Sequence, residues 1–209
     1  MTTVVRAAPR RLDRRDFSQS SVRVARDLLG KFIVRCFERT TLRAMIVEAE
    51  AYKGPQDAAS HAYGGRRTPR VEPLYGDSGT VYVYLCYGIH WMLNFSVAGP
   101  GTPQGVLVRG ILTDPDGDAK PLLGPGKVTR YLHIDKTLDG IDATKSRHLW
   151  LEARDVRVPP RCVRKGPRIG VEYAGAHWAA RPWRFWIDVD CLASAAFASR
   201  RPVMNAEIA

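Results

Sequence analysis

The chain has 209 residues, 45% apolar and 25% charged, which suits one soluble globular unit with a sizeable core; no apolar run nears the roughly 18 residues a membrane helix needs. Its 32 Lys and Arg outnumber 21 Asp and Glu, giving +11 and a pI near 9.9, so polyanions are the expected partner class, nucleic acid first among them. Cys36, Cys86, Cys162 and Cys191 stand far apart, with no Cys-x-x-Cys pair and no histidine at zinc spacing, which excludes the usual structural zinc and iron–sulfur patterns.

Residues 1–15 are arginine-rich and lack the apolar core of a secretory signal. They are expected to be a basic, flexible tail before a single domain over 16–209, in a cytoplasmic setting where the cysteines stay reduced. "SSVRVARDLLG" (20–30) predicts a helix with a Ser cap, with Val22, Ala25, Leu28 and Leu29 on one face and with Gly30 as the stop. "KFIVRCF" (31–37) and "RAMIVEAEAY" (43–52) read as strands. Side chains alternate across a strand, so Glu48, Glu50 and Tyr52 share one face while Val47, Ala49 and Ala51 share the other. That polar face either meets water or lines a site. Residues 53–80, rich in Gly, Pro, Asp and Arg, predict a long loop region.

"TVYVYLCYGIHWMLNFSV" (80–97) is two β-rich runs broken at Tyr87-Gly88-Ile89-His90, the pattern of a projecting hairpin. "QGVLVRGIL" (104–112) predicts another strand, "GPGKVTRYLHI" a loop entering a helix, and "RIGVEY" (168–173) and "WRFWIDV" (183–189) two closing strands. The order argues for an α+β fold with a mainly antiparallel sheet.

Glu48 and Glu50, two residues apart on one face, lie at roughly the separation of paired glycosidase carboxylates. They leave the strand in parallel, however, and cannot flank a bond from opposite sides, so at most one serves a reacting centre. "HAYGGRRTPR" (61–70) joins His61 to Gly-Gly and to Arg66, Arg67 and Arg70, a loop able to approach and neutralise a phosphate backbone; the plainer reading is a solvated basic loop. "GPGK" (124–127) fails as a Walker loop because Pro121 and Val128 stand where Gly and Ser or Thr are required. It leaves room for one phosphate near Lys127. Tyr82 and Tyr84 share a strand face, and Tyr87 beside Gly88 at the tip is placed to act as a wedge in a base stack.

In this order, "VEAEAY", "DAASHAYGGRRTPR", "GTVYVYLCYGIHWMLN", "GVLVRG", "GPGK" and "RIGV" resemble the alkyladenine (3-methyladenine) DNA glycosylase family of the mammalian type, over roughly residues 16–199. The resemblance implies a single mixed domain around a curved antiparallel sheet without a helix-hairpin-helix. It also implies excision of alkylated purines from double-stranded DNA by a monomeric enzyme with no cofactor and no metal. Glu50 matches the family's general base. Tyr52, His61 and Tyr84 match the residues that sandwich the flipped base, Asn94 lies against its edge, and Leu107 is placed in the same pocket. Tyr87 matches the intercalating tyrosine, and Arg109 the arginine near the water and the target phosphate. The backbone near Ser194 and Ala195 matches a water-holding carbonyl, and Ile89 and His90 depart from the mammalian methionine and tyrosine. A non-catalytic nucleic-acid binder of related fold is the alternative, and a sugar glycosidase a third reading.

Overall fold

A computed structural model describes residues 8–113 and 119–199, with side chains through Ser194; the first seven residues of the expected tail lie outside them. In chain order the elements are β1 (Arg10–Arg11), α1 (Arg14–Phe17), α2 (Ser21–Asp27), β2 (Phe32–Phe37), β3 (Thr40–Tyr52), β4 (Val81–Cys86), β5 (His90–Val97) and β6 (Gln104–Thr113). Then follow β7 (Lys120–Leu123), α3 (Pro125–Tyr131), β8 (Leu149–Ala153), β9 (Val163–Gly166), α4 (Ala176–Ala179), β10 (Arg184–Ile187) and α5 (Val189–Ser199). Ten strands form one sheet in the order β1-β8-β2-β3-β6-β5-β4, with β7 also on β6, β10 on β3 and β9 on β10. Every described pairing is antiparallel, so the fold is α+β with a large, mainly antiparallel sheet. No helix among the described residues is long and apolar enough to cross a membrane.

Strand β3 is the axis of this arrangement. Its first half, through Met45, pairs with β2; there β2 departs and β10 takes over that edge opposite Glu48–Glu50. Strand β6 follows the other edge, with register shifts between Ile46 and Glu48 and between Glu48 and Ala49. Such a bulge re-aims side chains locally. Gly110 stands opposite Glu48, where a Cβ would come within 2.9 Å of the Glu48 Cβ, so only glycine lets the two strands close there. One face of β3 enters the main core with Phe95, Val108, Ile111 and Leu132, over which α2 and α3 pack. On the opposite face Tyr52, Arg109 and the Ile169 segment close over Glu50 and remove it from solvent.

Several expectations are corrected. The basic tail is docked from residue 10 onward: Arg10–Arg11 pair with β8, Asp13 caps α1 with a capping box, and Phe17 is buried. Arg11 donates to the carbonyls of Ala143 and Ser146, acceptors too distant in sequence to be foreseen. Ser20 occupies the N-cap of α2 without a side-chain cap bond, and the Ser21 N–H is taken instead by Gln104 Oε1 at 2.9 Å. Residues 168–173, expected as a strand, are irregular because Ile169 N–H is committed to a side chain and not to a neighbouring strand. Cys162 and Cys191, expected as thiols, form a disulfide: Asp188 N–H bonds the Cys162 carbonyl, which brings the start of α5 against the turn before β9. Cys36 and Cys86 are unpaired cysteines.

The loop after β3 is clamped by a buried ion pair. Arg168 meets Asp57 in a two-pronged contact at 2.6 and 2.8 Å, donates to the Ala51 carbonyl at 3.0 Å, and lies over the rings of Tyr52 and Trp183. Asp57 also accepts the N–H groups of Lys53 and Ala59. Both charged side chains are completely buried. Losing one partner strands the other charge in the interior, so Asp57→Ala is expected to lower stability by about 3–5 kcal/mol, read as a shift of the urea unfolding midpoint.

Candidate active site

The site is built outward from β3. Glu50 has no exposed surface, and each of its carboxylate oxygens has a defined donor: Tyr52 hydroxyl to Oε2 at 2.9 Å and Ile169 N–H to Oε1 at 2.9 Å. Arg109, on β6, brings its Nε to 3.4 Å from Oε1. Burial raises the Glu50 pKa above the usual carboxylate range; Arg109, the Ile169 N–H and the Tyr52 hydroxyl oppose the rise, and Glu48 adds to it. The Tyr52 phenol is pushed well above its ordinary value, first by burial and then by the Glu50 charge, so it stays protonated and remains the donor. A carboxylate held in this way is a proton acceptor whose basicity exceeds that of a solvated glutamate.

Above it lies a cavity of about 700 Å³, a size typical of ligand sites. Tyr52, Arg109 and Ile169, the three residues that hold Glu50, all line it, so the carboxylate stands directly behind the cavity wall. His61, Tyr84, Asn94 and Leu107 line it as well. Leu107 is opposite Glu50 on one side and Asn94 on the other, so three adjacent strands deliver these residues to one place. His61 and Tyr84 meet edge to face with centroids 4.5 Å apart. His61 Nδ1 shares a 2.8 Å hydrogen bond with the hydroxyl of Tyr82, which fixes the imidazole plane. Burial, helped by Arg70 and Arg66, lowers the His61 pKa to about 4, leaving a neutral ring at neutral pH. Asn94 donates its amide hydrogens to the carbonyls of Tyr82 and Met92, which leaves Oδ1 as the polar atom it offers to the cavity.

At the rim, the turn after β4 holds Tyr87 at φ 50° and Gly88 at φ 69°, the left-handed pair that closes a tight hairpin. Tyr87 is 91% exposed and Ile89 72%, so the tip presents two large apolar groups to solvent beside the cavity. The basic residues divide. Arg70 lines the cavity, lies over Tyr84 and donates to the Leu85 carbonyl; Arg67 is paired with Glu72 at 2.5 and 2.9 Å; Arg66 and Lys127 are exposed and lie outside the cavity lining. The second glycine of "GPGK" answers to packing: a Cβ on Gly126 would come within 2.9 Å of the His90 ring.

Sequence reasoning missed Ile169, Arg168, Asp57 and Arg184. The segment "RIGV" was singled out, but its backbone donor depends on an irregular conformation that strand periodicity does not reveal. The backbone near residues 194–195 was expected to hold a water at this site; Ser194 is exposed on α5, its hydroxyl donating to the Asp190 carbonyl, and is not among the cavity-lining residues, while the Ile169 N–H reaches Glu50. Among the described residues no cluster of His, Cys, Asp and Glu could hold a metal ion.

The methylpurine-DNA glycosylase family model matches residues 15–191. A Borrelia garinii subsp. bavariensis protein named "Putative 3-methyladenine DNA glycosylase" is 39% identical over 184 residues, spanning 84% of this chain and 95% of its own length. Proteins of the same name from Desulfitobacterium hafniense and Clostridium perfringens are 36% and 38% identical, spanning 86% and 85% of this chain and 96% and 95% of their own lengths. With the family model matching residues 15–191 and most of both lengths matched in these relatives, the chain belongs to the methylpurine-DNA glycosylase family.

Proposed function

We propose that this protein is a monofunctional DNA glycosylase of base excision repair that rotates alkylated purines out of duplex DNA and hydrolyses their N-glycosidic bond, leaving an abasic site. Its substrates are 3-methyladenine and 7-methylguanine, with hypoxanthine and ethenoadenine as further candidates, and it acts as a monomer. The observation that carries the reading is the buried Glu50 carboxylate, held by Tyr52, Ile169 and Arg109 behind an aromatic cavity large enough for a base.

In this reading Glu50 takes a proton from a water as its oxygen bonds to C1′, and the C1′–N bond breaks with its electron pair passing to the base. An N3- or N7-alkylated purine carries positive charge and leaves neutral, so it needs no strong general acid. The cationic ring is favoured between Tyr52 on one side and the neutral His61 and Tyr84 on the other. Arg109 serves the target nucleotide's phosphate. Tyr87, projecting at the hairpin tip, fills the gap the base leaves and offsets the lost stacking, which costs a few kcal/mol. Among the described residues no lysine lines the cavity, which supports hydrolysis over a Schiff-base lyase step.

Glu50→Gln keeps the size of the site and one acceptor oxygen, turns the other acceptor into a donor, and removes the base. It is expected to slow release of 3-methyladenine from alkylated duplex by about 10²–10⁴-fold while still binding abasic-analogue DNA; undiminished release sinks the proposal. Tyr87→Ser should weaken binding to lesion duplex and slow single-turnover excision, whereas unchanged kinetics would exclude insertion of the ring. His61 also sets a pH dependence of stability. Its folded pKa of about 4 lies below the unfolded value of roughly 6.5, so the unfolded chain binds more protons between the two. Stability should therefore fall as pH drops through that window, by up to roughly 3 kcal/mol, and His61→Asn should flatten the urea-unfolding profile there.

A further inference from the structure

Glu48 has no part in the reaction just described, yet it is only 7% exposed and sits among charges. Its Oε1 lies 3.3 Å from an Arg184 terminal nitrogen and 3.4 Å from Arg109 Nε, and that same Nε lies 3.4 Å from Glu50 Oε1. Strands β10, β3 and β6 thus set four charges of alternating sign in a row: Arg184, Glu48, Arg109, Glu50. The row is built with care for space and orientation. Gly110 makes the room that Glu48 occupies, and the Arg184 guanidinium carbon lies over Trp186, 4.4 Å from the ring centroid.

Arg109 Nε makes no hydrogen bond to either carboxylate; it is suspended between the two. The guanidinium therefore turns its Nε edge to the glutamates while the residue lines the cavity. Without Glu48 the guanidinium would close on Glu50 in a two-pronged pair, the strongest arrangement open to it. Such a pair stabilises the ionised carboxylate and makes it a poorer proton acceptor.

We propose that Glu48 is a positioning residue: it holds Arg109 by its Nε edge, with Arg184 balancing its own charge, so that Glu50 stays basic and the amino edge of Arg109 stays turned to the cavity. The inference rests on Glu50 being the general base. The titratable and charged groups around Glu50 are Glu48 and Tyr52 on β3, Arg109 on β6, Tyr84 on β4, and Arg184 across from Glu50 on β10, with the Ile169 N–H beside Arg168. The Glu48 charge holds the Glu50 pKa up, so removing it lowers that pKa. Arg184 offsets the Glu48 charge, so removing Arg184 leaves that charge uncompensated and acts in the opposite direction.

The test is single-turnover release of 7-methylguanine from alkylated duplex, at saturating enzyme and across pH, by wild type, Glu48→Gln, Arg184→Gln and Glu50→Gln. Because the base works deprotonated, the rate falls as pH drops through its pKa. Glu48→Gln is expected to move that acid limb to lower pH and to lower the plateau rate about threefold, while Arg184→Gln moves the limb up. A loss of packing alone would lower the plateau and leave both limbs in place. Either limb coinciding with wild type, or moving the other way, overturns the role of Glu48; should Glu48→Gln not fold, the Arg184→Gln limb decides alone. A Glu50→Gln protein as active as wild type would instead overturn the general-base reading, which is a separate result.

Discussion

A carboxylate with no solvent contact is the constraint on which the rest of this structure depends. Withdrawing Glu50 from water is costly unless its charge and lone pairs are met, and each of the contacts that meet them comes from a different part of the chain. The phenol of Tyr52 comes from the same strand face, the guanidinium from β6, and a backbone N–H from the segment after β9. This is why β3 is so long and changes partners midway. Its first half anchors the sheet through β2, and its second half is enclosed by β6 and β10.

The layer behind that carboxylate follows the same logic. Ile169 can offer its N–H only if its segment is fixed, and the neighbouring Arg168 fixes it by pairing with Asp57 and stacking on Tyr52 and Trp183. One buried ion pair thus locks the loop after β3, the segment before α4 and the ring that donates to Glu50. The cavity itself is kept uncharged over its aromatic wall: burial raises the phenols of Tyr82 and Tyr84 and lowers the imidazole of His61, so all three are neutral at neutral pH. A neutral, polarisable wall suits a flat cation better than a wall carrying its own positive charge.

Several of the arginines serve the fold itself. Arg35 is 6% exposed and donates to the carbonyls of Cys36, His133 and His148; Arg168 is buried, and Arg11 and Arg14 tie the N-terminal segment to the loop before β8. Arg67 is neutralised by Glu72. The net charge of +11 therefore describes the whole molecule more faithfully than it describes any one basic face. Arginine recurs inside because its planar fork satisfies several acceptors at once, which a lysine in the same place could not do.

Local pattern was enough to read the strand character of 43–52, 80–97 and 104–112, the hairpin turn at Tyr87-Gly88, and the shared face of Glu48, Glu50 and Tyr52. These follow from side-chain alternation and from backbone preferences that act within a few residues. The resemblance to a known family, resting on motifs in order, added Arg109, Asn94 and Leu107, and the fold carries all three to the cavity that Tyr52, His61 and Tyr84 line. What the sequence could not express is burial and long-range pairing. Glu48 and Glu50 look alike on one strand face, and only the tertiary fold makes one a carboxylate held by Tyr52 and the Ile169 N–H and the other a partner of two arginines from β10 and β6. The Ile169 donor, the Asp57–Arg168 pair, the Cys162–Cys191 disulfide and the docked N-terminal arginines likewise join residues far apart in the chain. Their energies exist only once the sheet has excluded water between them.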